Sequence, residues 1–126
     1  MSYATIKPAG KSILNGYEWN GRVLKPFGRA NAAGWEFDGR HLKPFNRSAT
    51  KGYEWDGRHL KPCGGSIFSG YELSGNIIRP FGSSCDRGFE LKTGRCVPCF
   101  GPPENGWEFT GQVPVPILAL VAFGLS

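Results

Sequence analysis

Gly52-Tyr53-Glu54-Trp55-Asp56-Gly57-Arg58-His59-Leu60-Lys61-Pro62-Cys63 is the stretch that decides the fold. Asp-Gly at its centre suits a two-residue type I′ turn, whose central residues both need positive φ. Short runs of aromatic and aliphatic residues flank the dipeptide, so the stretch reads as a β-hairpin. Pro62 ends the second strand, because it has no N–H to give to a ladder. A two-residue turn sets Trp55 opposite Arg58, Glu54 opposite His59 and Tyr53 opposite Leu60. Tyr53, Trp55, Leu60 and the Arg58 stem then share a face that can bury, while Glu54, His59 and Lys61 share a solvated one.

The same pattern recurs along the chain. Proline falls at Pro8, Pro26, Pro44, Pro62, Pro80, Pro98 and Pro116, a spacing of eighteen, and the length of 126 residues is seven such units. Gly16, Gly34, Gly52, Gly70, Gly88 and Gly106 open the later units, and Glu18, Glu36, Glu54, Glu72, Glu90 and Glu108 follow two places on. Around each Glu stand the candidate core residues: Tyr17 and Trp19, Trp35 and Phe37, Tyr53 and Trp55, Tyr71, Trp107 and Phe109. Asn20-Gly21 and Asp38-Gly39 repeat the turn dipeptide, whereas Thr93 takes the glycine place in the fifth unit and predicts a looser turn there.

These features predict an all-β protein, a tandem array of seven 18-residue β-hairpin repeats. Residues 1–111 form the array, the first repeat being partial, and 112–126 form a degenerate last repeat with an apolar tail. A lone hairpin is marginal in water, so the units pack on one another or on a partner. A β-solenoid with one repeat per coil is the competing arrangement. It would stack the repeated Glu about 4.8 Å apart in one like-charged ladder, which disfavours it.

Composition narrows the function classes. Gly 19 and Pro 10 leave little room for long helices, while the 17 aromatic residues are too many for a disordered chain. The net charge of +5 is lopsided: residues 1–63 hold eleven Lys/Arg against five acids, and residues 64–126 hold four against five. A basic half steers acidic partners, such as nucleic acid or a membrane surface. Arg22, Lys25, Arg40, Lys43, Arg58 and Lys61, interleaved with aromatics, are the candidate polyanion contacts. Gly16-Tyr17-Glu18-Trp19-Asn20-Gly21-Arg22-Val23-Leu24-Lys25 resembles the last hairpin and strand of some RNA-recognition domains, and that resemblance implies RNA contacts from these residues. The other reading makes the aromatics core and the basic residues partners of the Glu row.

Cys63, Cys85, Cys96 and Cys99 admit three states: reduced core thiols, a disulfide with Cys85–Cys96 as the chosen pair, or zinc bound through Cys96-Val97-Pro98-Cys99. Cys63 and Cys99 share the repeat place of Phe27, Phe45 and Phe81, which points first to core packing. His41 and His59 share another place, read as exposed partners of Glu36 and Glu54. Neither a Ser/His/Asp grouping nor a phosphate loop stands out, so no enzyme and no cofactor are expected.

The opening Met1-Ser2-Tyr3-Ala4 lacks a basic n-region and apolar run, so no signal peptide is read and synthesis in the cytosol is expected. The apolar run from Val113 to Leu125 is shorter than the roughly 20 residues a membrane helix needs. Ile117, Leu118, Leu120, Val121, Phe123 and Leu125 are instead the candidate partner-binding residues, docking into another chain or folding back over the open end. The expected function is a non-catalytic structural or assembly subunit of a larger particle, filament, virion or intracellular complex. Its partners would be other protein subunits in a homo- or hetero-oligomer. A nucleic-acid-binding module using the basic half is the alternative, followed by a carbohydrate-binding repeat protein.

Overall fold

The structure, a computed structural model, describes residues 4–30, 33–48, 51–84 and 87–124. Twelve short antiparallel strands close into a barrel. They are β1 (Ala4–Pro8), β2 (Tyr17–Trp19), β3 (Val23–Pro26), β4 (Trp35–Phe37), β5 (His41–Pro44), β6 (Tyr53–Trp55), β7 (His59–Pro62), β8 (Tyr71–Ser74), β9 (Ile77–Pro80), β10 (Phe89–Lys92), β11 (Arg95–Pro98) and β12 (Trp107–Thr110). One helix, α1 (Val115–Ala122), follows. The protein is all-β and hairpin-built, as its sequence implies, but it is a barrel and not a solenoid. Four of the repeated Glu residues therefore face a cation across their own hairpin instead of stacking on their repeats: Glu18 on Lys25, Glu36 on Lys43, Glu54 on Lys61 and Glu72 on Arg79.

Five hairpins come from consecutive strands, β2–β3 through β10–β11. The sixth is assembled from the two ends of the chain. Pro8 lies opposite Trp107, Lys7 opposite Glu108 and Ile6 opposite Phe109, the register that Pro26–Tyr17, Lys25–Glu18 and Leu24–Trp19 have inside one hairpin. The partial first repeat supplies the second strand and the last repeat supplies the first. Seven proline-marked units thus yield six hairpins among the described residues, with Pro116 lying in α1 instead of at a strand end.

The turn differs from a type I′ turn. Trp55 pairs with Leu60, Glu54 with Lys61 and Tyr53 with Pro62, two residues away from the expected register. The carboxylate of Asp56 accepts the N–H groups of Arg58 and His59 at 2.9 and 2.6 Å, replacing the carbonyl that a tight turn would use. Asp38 and Asn20 do the same, and Gly21, Gly39 and Gly57 adopt φ near +100°. In β8–β9 and β10–β11, which lack Asp or Asn at that place, Ser74 pairs with Ile77 and Lys92 with Arg95. The fifth turn is thus tighter than expected, not looser. The shift is an even number of residues, so the inward and outward faces stay as read.

One inward residue per hairpin forms a ring: Ile6, Leu24, Leu42, Leu60, Ile78 and Cys96, all at most 1% exposed. Aromatics from the partner strands pack around them. A barrel of about eight strands is filled by its own side chains; twelve leave a lumen that must be occupied. Helix α1 occupies it. Apolar on every side, it buries Pro116, Ile117, Leu118, Ala119, Leu120 and Val121. The helix starts at Pro114 on the tight-turn end and finishes with Phe123 against Tyr71 and Phe89, ring centroids 4.5 and 5.2 Å away.

The repeated glycines have a second cause. A Cβ on Gly52 would fall on the carbonyl oxygen of Leu42, and Gly16, Gly34, Gly70, Gly88 and Gly106 meet Ile6, Leu24, Leu60, Ile78 and Cys96 in the same way. Adjacent hairpins approach backbone to backbone at that place.

Candidate functional site

The outer wall carries a belt of ion pairs. Lys7–Glu108, Lys25–Glu18, Lys61–Glu54 and Arg79–Glu72 lie 2.8, 3.2, 2.9 and 3.1 Å apart, and Lys43 pairs with Glu36. Lys7, Lys25 and Lys43 also donate to the carbonyls of Lys11, Arg29 and Arg47, pinning the long connections. These bonds hold the carboxyls of Glu18, Glu54 and Glu108 below the ordinary carboxylate range. Of the candidate polyanion contacts, Lys25, Lys43 and Lys61 are therefore engaged within the belt. Arg22, Arg40 and Arg58 stand exposed on three successive hairpins at the tight-turn rim.

Among the grooves that open beside that rim, two are lined by the same repeat positions. The larger, about 690 Å³, is lined by Arg40, Glu54, Trp55, Asp56, His59 and Lys61 together with Gly39 and Gly57. The smaller, about 110 Å³, is lined by Arg22, Glu36, Phe37, Asp38, His41 and Lys43. Each named residue of the second lies eighteen places before its counterpart in the first. Both are furrows between neighbouring hairpins, walled by an inward-leaning aromatic and floored by an ion pair.

Each histidine lines one furrow and reaches onward to the hairpin beyond it. His41 lies opposite Glu54 of the next hairpin, and His59 opposite Glu72, instead of the Glu36 and Glu54 expected from a two-residue turn. His59 Nδ1 is 3.3 Å from Asp56 Oδ2 and its Nε2 is 3.8 Å from Glu72 Oε2. His41 sits likewise between Asp38 and Glu54, 3.8 Å from each. The hydrogen bonds from the backbone of His59 and Arg58 hold Asp56 below the usual range, and those from His41 and Arg40 do so for Asp38. Asp38, Asp56 and the Glu residues belong to these furrows, a role their sequence positions hide because each looks like one more copy of the repeat.

The candidate core residues all join the interior. Trp19 and Phe37 are buried, and Tyr17, Trp35, Tyr53, Trp55, Tyr71, Trp107 and Phe109 pack partly buried against the core. The tail, expected either to dock into another chain or to fold back, is found within its own barrel. Ile117, Leu118, Leu120 and Val121 lie inside their own barrel, and Phe123 packs beneath Tyr71; Leu125 falls outside the described residues. The tail goes inward because the lumen needs filling and α1 is apolar on all sides.

Cys96 is a free thiol buried in the inner ring, which is the reduced core state among the three left open and not the Cys85–Cys96 disulfide; Cys85 itself lies outside the described residues. Burial pushes the Cys96 thiol up to about 12. Cys63 is half-buried, and burial raises its thiol as well. Among the described residues no group of three or more His, Cys, Asp or Glu is placed to hold a metal ion, and no helix is long and apolar enough to cross a membrane.

No family model, curated protein or solved structure matches the chain.

Proposed function

We propose that the protein is a non-catalytic, multivalent binding module whose ligands are hydroxyl-rich, carbohydrate being the class that fits. The observation that carries this reading is the pair of furrows eighteen residues apart, each with Arg, Glu, Asp, His and Lys around an aromatic wall. Formal charges of both signs cancel within each furrow. What remains is a dense set of fixed donors and acceptors with little net charge, suited to hydroxyl groups more than to a phosphate chain. Two such sites on one rigid wall gain avidity for ligands that repeat. Assembly into a larger particle, the structural reading of the sequence, would then run through hairpin surfaces and not through the tail.

A nucleic-acid reading is favoured by one observation, the row of exposed Arg22, Arg40 and Arg58 along a single rim. Against it, the three lysines of the same set are held by glutamates. A glycan array probed with the labelled protein, run beside an oligo-dT control, separates the two. Retention on one or more oligosaccharide classes at physiological salt supports the proposal. Retention of oligo-dT alone, or of nothing, overturns it.

A further inference from the structure

The end of the barrel opposite the furrows carries a different chemistry. Strands alternate in direction, so the described parts of the long connections, residues 9–16, 27–30, 33–34, 45–48, 51–52, 63–70, 81–84, 87–88 and 99–106, emerge at that end. The large apolar side chains that stand out most from the described surface are all there: Leu14 is 74% exposed, Phe68 77% and Phe100 81%. Leu14 and Phe68 occupy the same repeat place on connections three hairpins apart, and Phe100 lies on the connection next to that of Leu14. Phe68 is propped edge-on by Phe81, ring centroids 5.3 Å apart, which directs it outward as a stiff tip. Neither the barrel nor the helix needs these three side chains.

The charge of the same end is one-sided. Lys11, Arg29, Arg47, Lys51 and Arg87 are exposed on these connections, against Glu104 among the described residues. Lys7, Lys25 and Lys43 fix three of the loops from below by bonding Lys11, Arg29 and Arg47 carbonyls, so the basic side chains sit on an ordered platform. Apolar tips beside exposed cations on neighbouring connections are the combination that engages the interface of an anionic bilayer: the tips enter the headgroup region while the cations meet lipid phosphates and carboxylates. Either signal alone gives weak, reversible attachment, and both together give stable attachment.

We propose that the long-connection face of the barrel is a peripheral docking surface for anionic lipid bilayers, leaving the furrows at the other end directed away from the membrane. This rests on the exposed tips and the charge of that face, not on the reading of the furrows.

Co-sedimentation of the full chain with sucrose-loaded vesicles tests it. One set is phosphatidylcholine and the other contains phosphatidylserine in addition. Tight association with the second set, at least tenfold weaker with the first and weakened by salt, is expected. Replacing Leu14, Phe68 and Phe100 together by Ser should reduce the partition at least tenfold, and so should replacing Arg29, Arg47, Lys51 and Arg87 together by Ser. These are surface positions, and an unchanged thermal melt confirms folding of each variant. The triple change Arg22→Ser, Arg40→Ser and Arg58→Ser, at the opposite rim, should leave partition unchanged. Equal binding to both vesicle types, wild-type binding by the apolar-tip variant, or loss of binding in the opposite-rim variant would overturn the proposal.

Discussion

The hydroxyl of Thr5 lies 2.8 Å from that of Thr110, a hydrogen bond between side chains 105 residues apart. It joins the first strand to the last in the register of an ordinary hairpin, so the barrel has no strand edge exposed for pairing with another chain. If the closing hairpin is equivalent to the others, its inward residue is as costly to shorten as theirs. Ile6→Ala and Leu60→Ala should each lose about 2–5 kcal/mol in denaturant melts, since both side chains are fully buried. A change below about 1 kcal/mol for Ile6→Ala, with a normal loss for Leu60→Ala, would mean that the ends do not close the barrel.

Removing residues 115–126 takes away the helix that fills the lumen. The truncated chain should melt at a markedly lower temperature, with tryptophan emission shifted to the red as Trp19, Trp35, Trp55 and Trp107 gain water. An unchanged melt would contradict the placement of the helix.

Gly52 and Gly57 are needed for different reasons. At Gly52 the obstacle is the Leu42 carbonyl, so even Ala should cost about 2–4 kcal/mol by pushing the hairpins apart. Gly57 has open space around it but φ of +99°, so Ala there should cost about 1–2 kcal/mol and the β-branched Val more. Equal, negligible losses at both positions would contradict the close approach and the turn alike.

Acid should loosen the wall before it reaches the core. Glu18, Glu54 and Glu108 are held low by hydrogen bonds from Lys25, Lys61 and Lys7, and Asp38 and Asp56 by backbone N–H groups. A carboxyl with a depressed folded-state pKa contributes stability that is complete above its unfolded value, near 4, and is lost as pH falls through the lower folded value. Stability measured by denaturant melts should therefore be flat from pH 7 to about 5 and decline below about 4. In Asp38→Asn and Asp56→Asn variants, whose amide oxygens still accept the turn N–H groups, the decline should be shallower. A decline that begins near pH 6 would contradict this account.

The eighteen-residue spacing and the alternation around each Glu were enough to place the hairpins and their faces. Register was not legible, because Asp-Gly serves a type I′ turn and an Asp side-chain turn equally well, and the choice rests on whether a carboxylate or a carbonyl takes the N–H of Arg58. Closure was hidden in the half-repeats at the two ends, which look incomplete until Lys7 meets Glu108. An apolar run such as Ile117 to Val121 demands burial without saying where, since its own barrel and a foreign groove remove the same surface from water. The furrows escaped notice because Glu54 and Asp56 belong to the repeat, and only the pairing of His41 with the next hairpin brings them together.

The most direct test of the binding account is the stoichiometry with which the protein takes the oligosaccharide best retained on the array. Arg40 lines one furrow and Arg22 the other, both are exposed, and neither supports the core. Calorimetric titration should give two sites for the wild type, one each for Arg22→Ser and Arg40→Ser, and none for the double variant. A single site, or sites that survive the double change, would contradict the claim that the repeated furrows are where this protein binds.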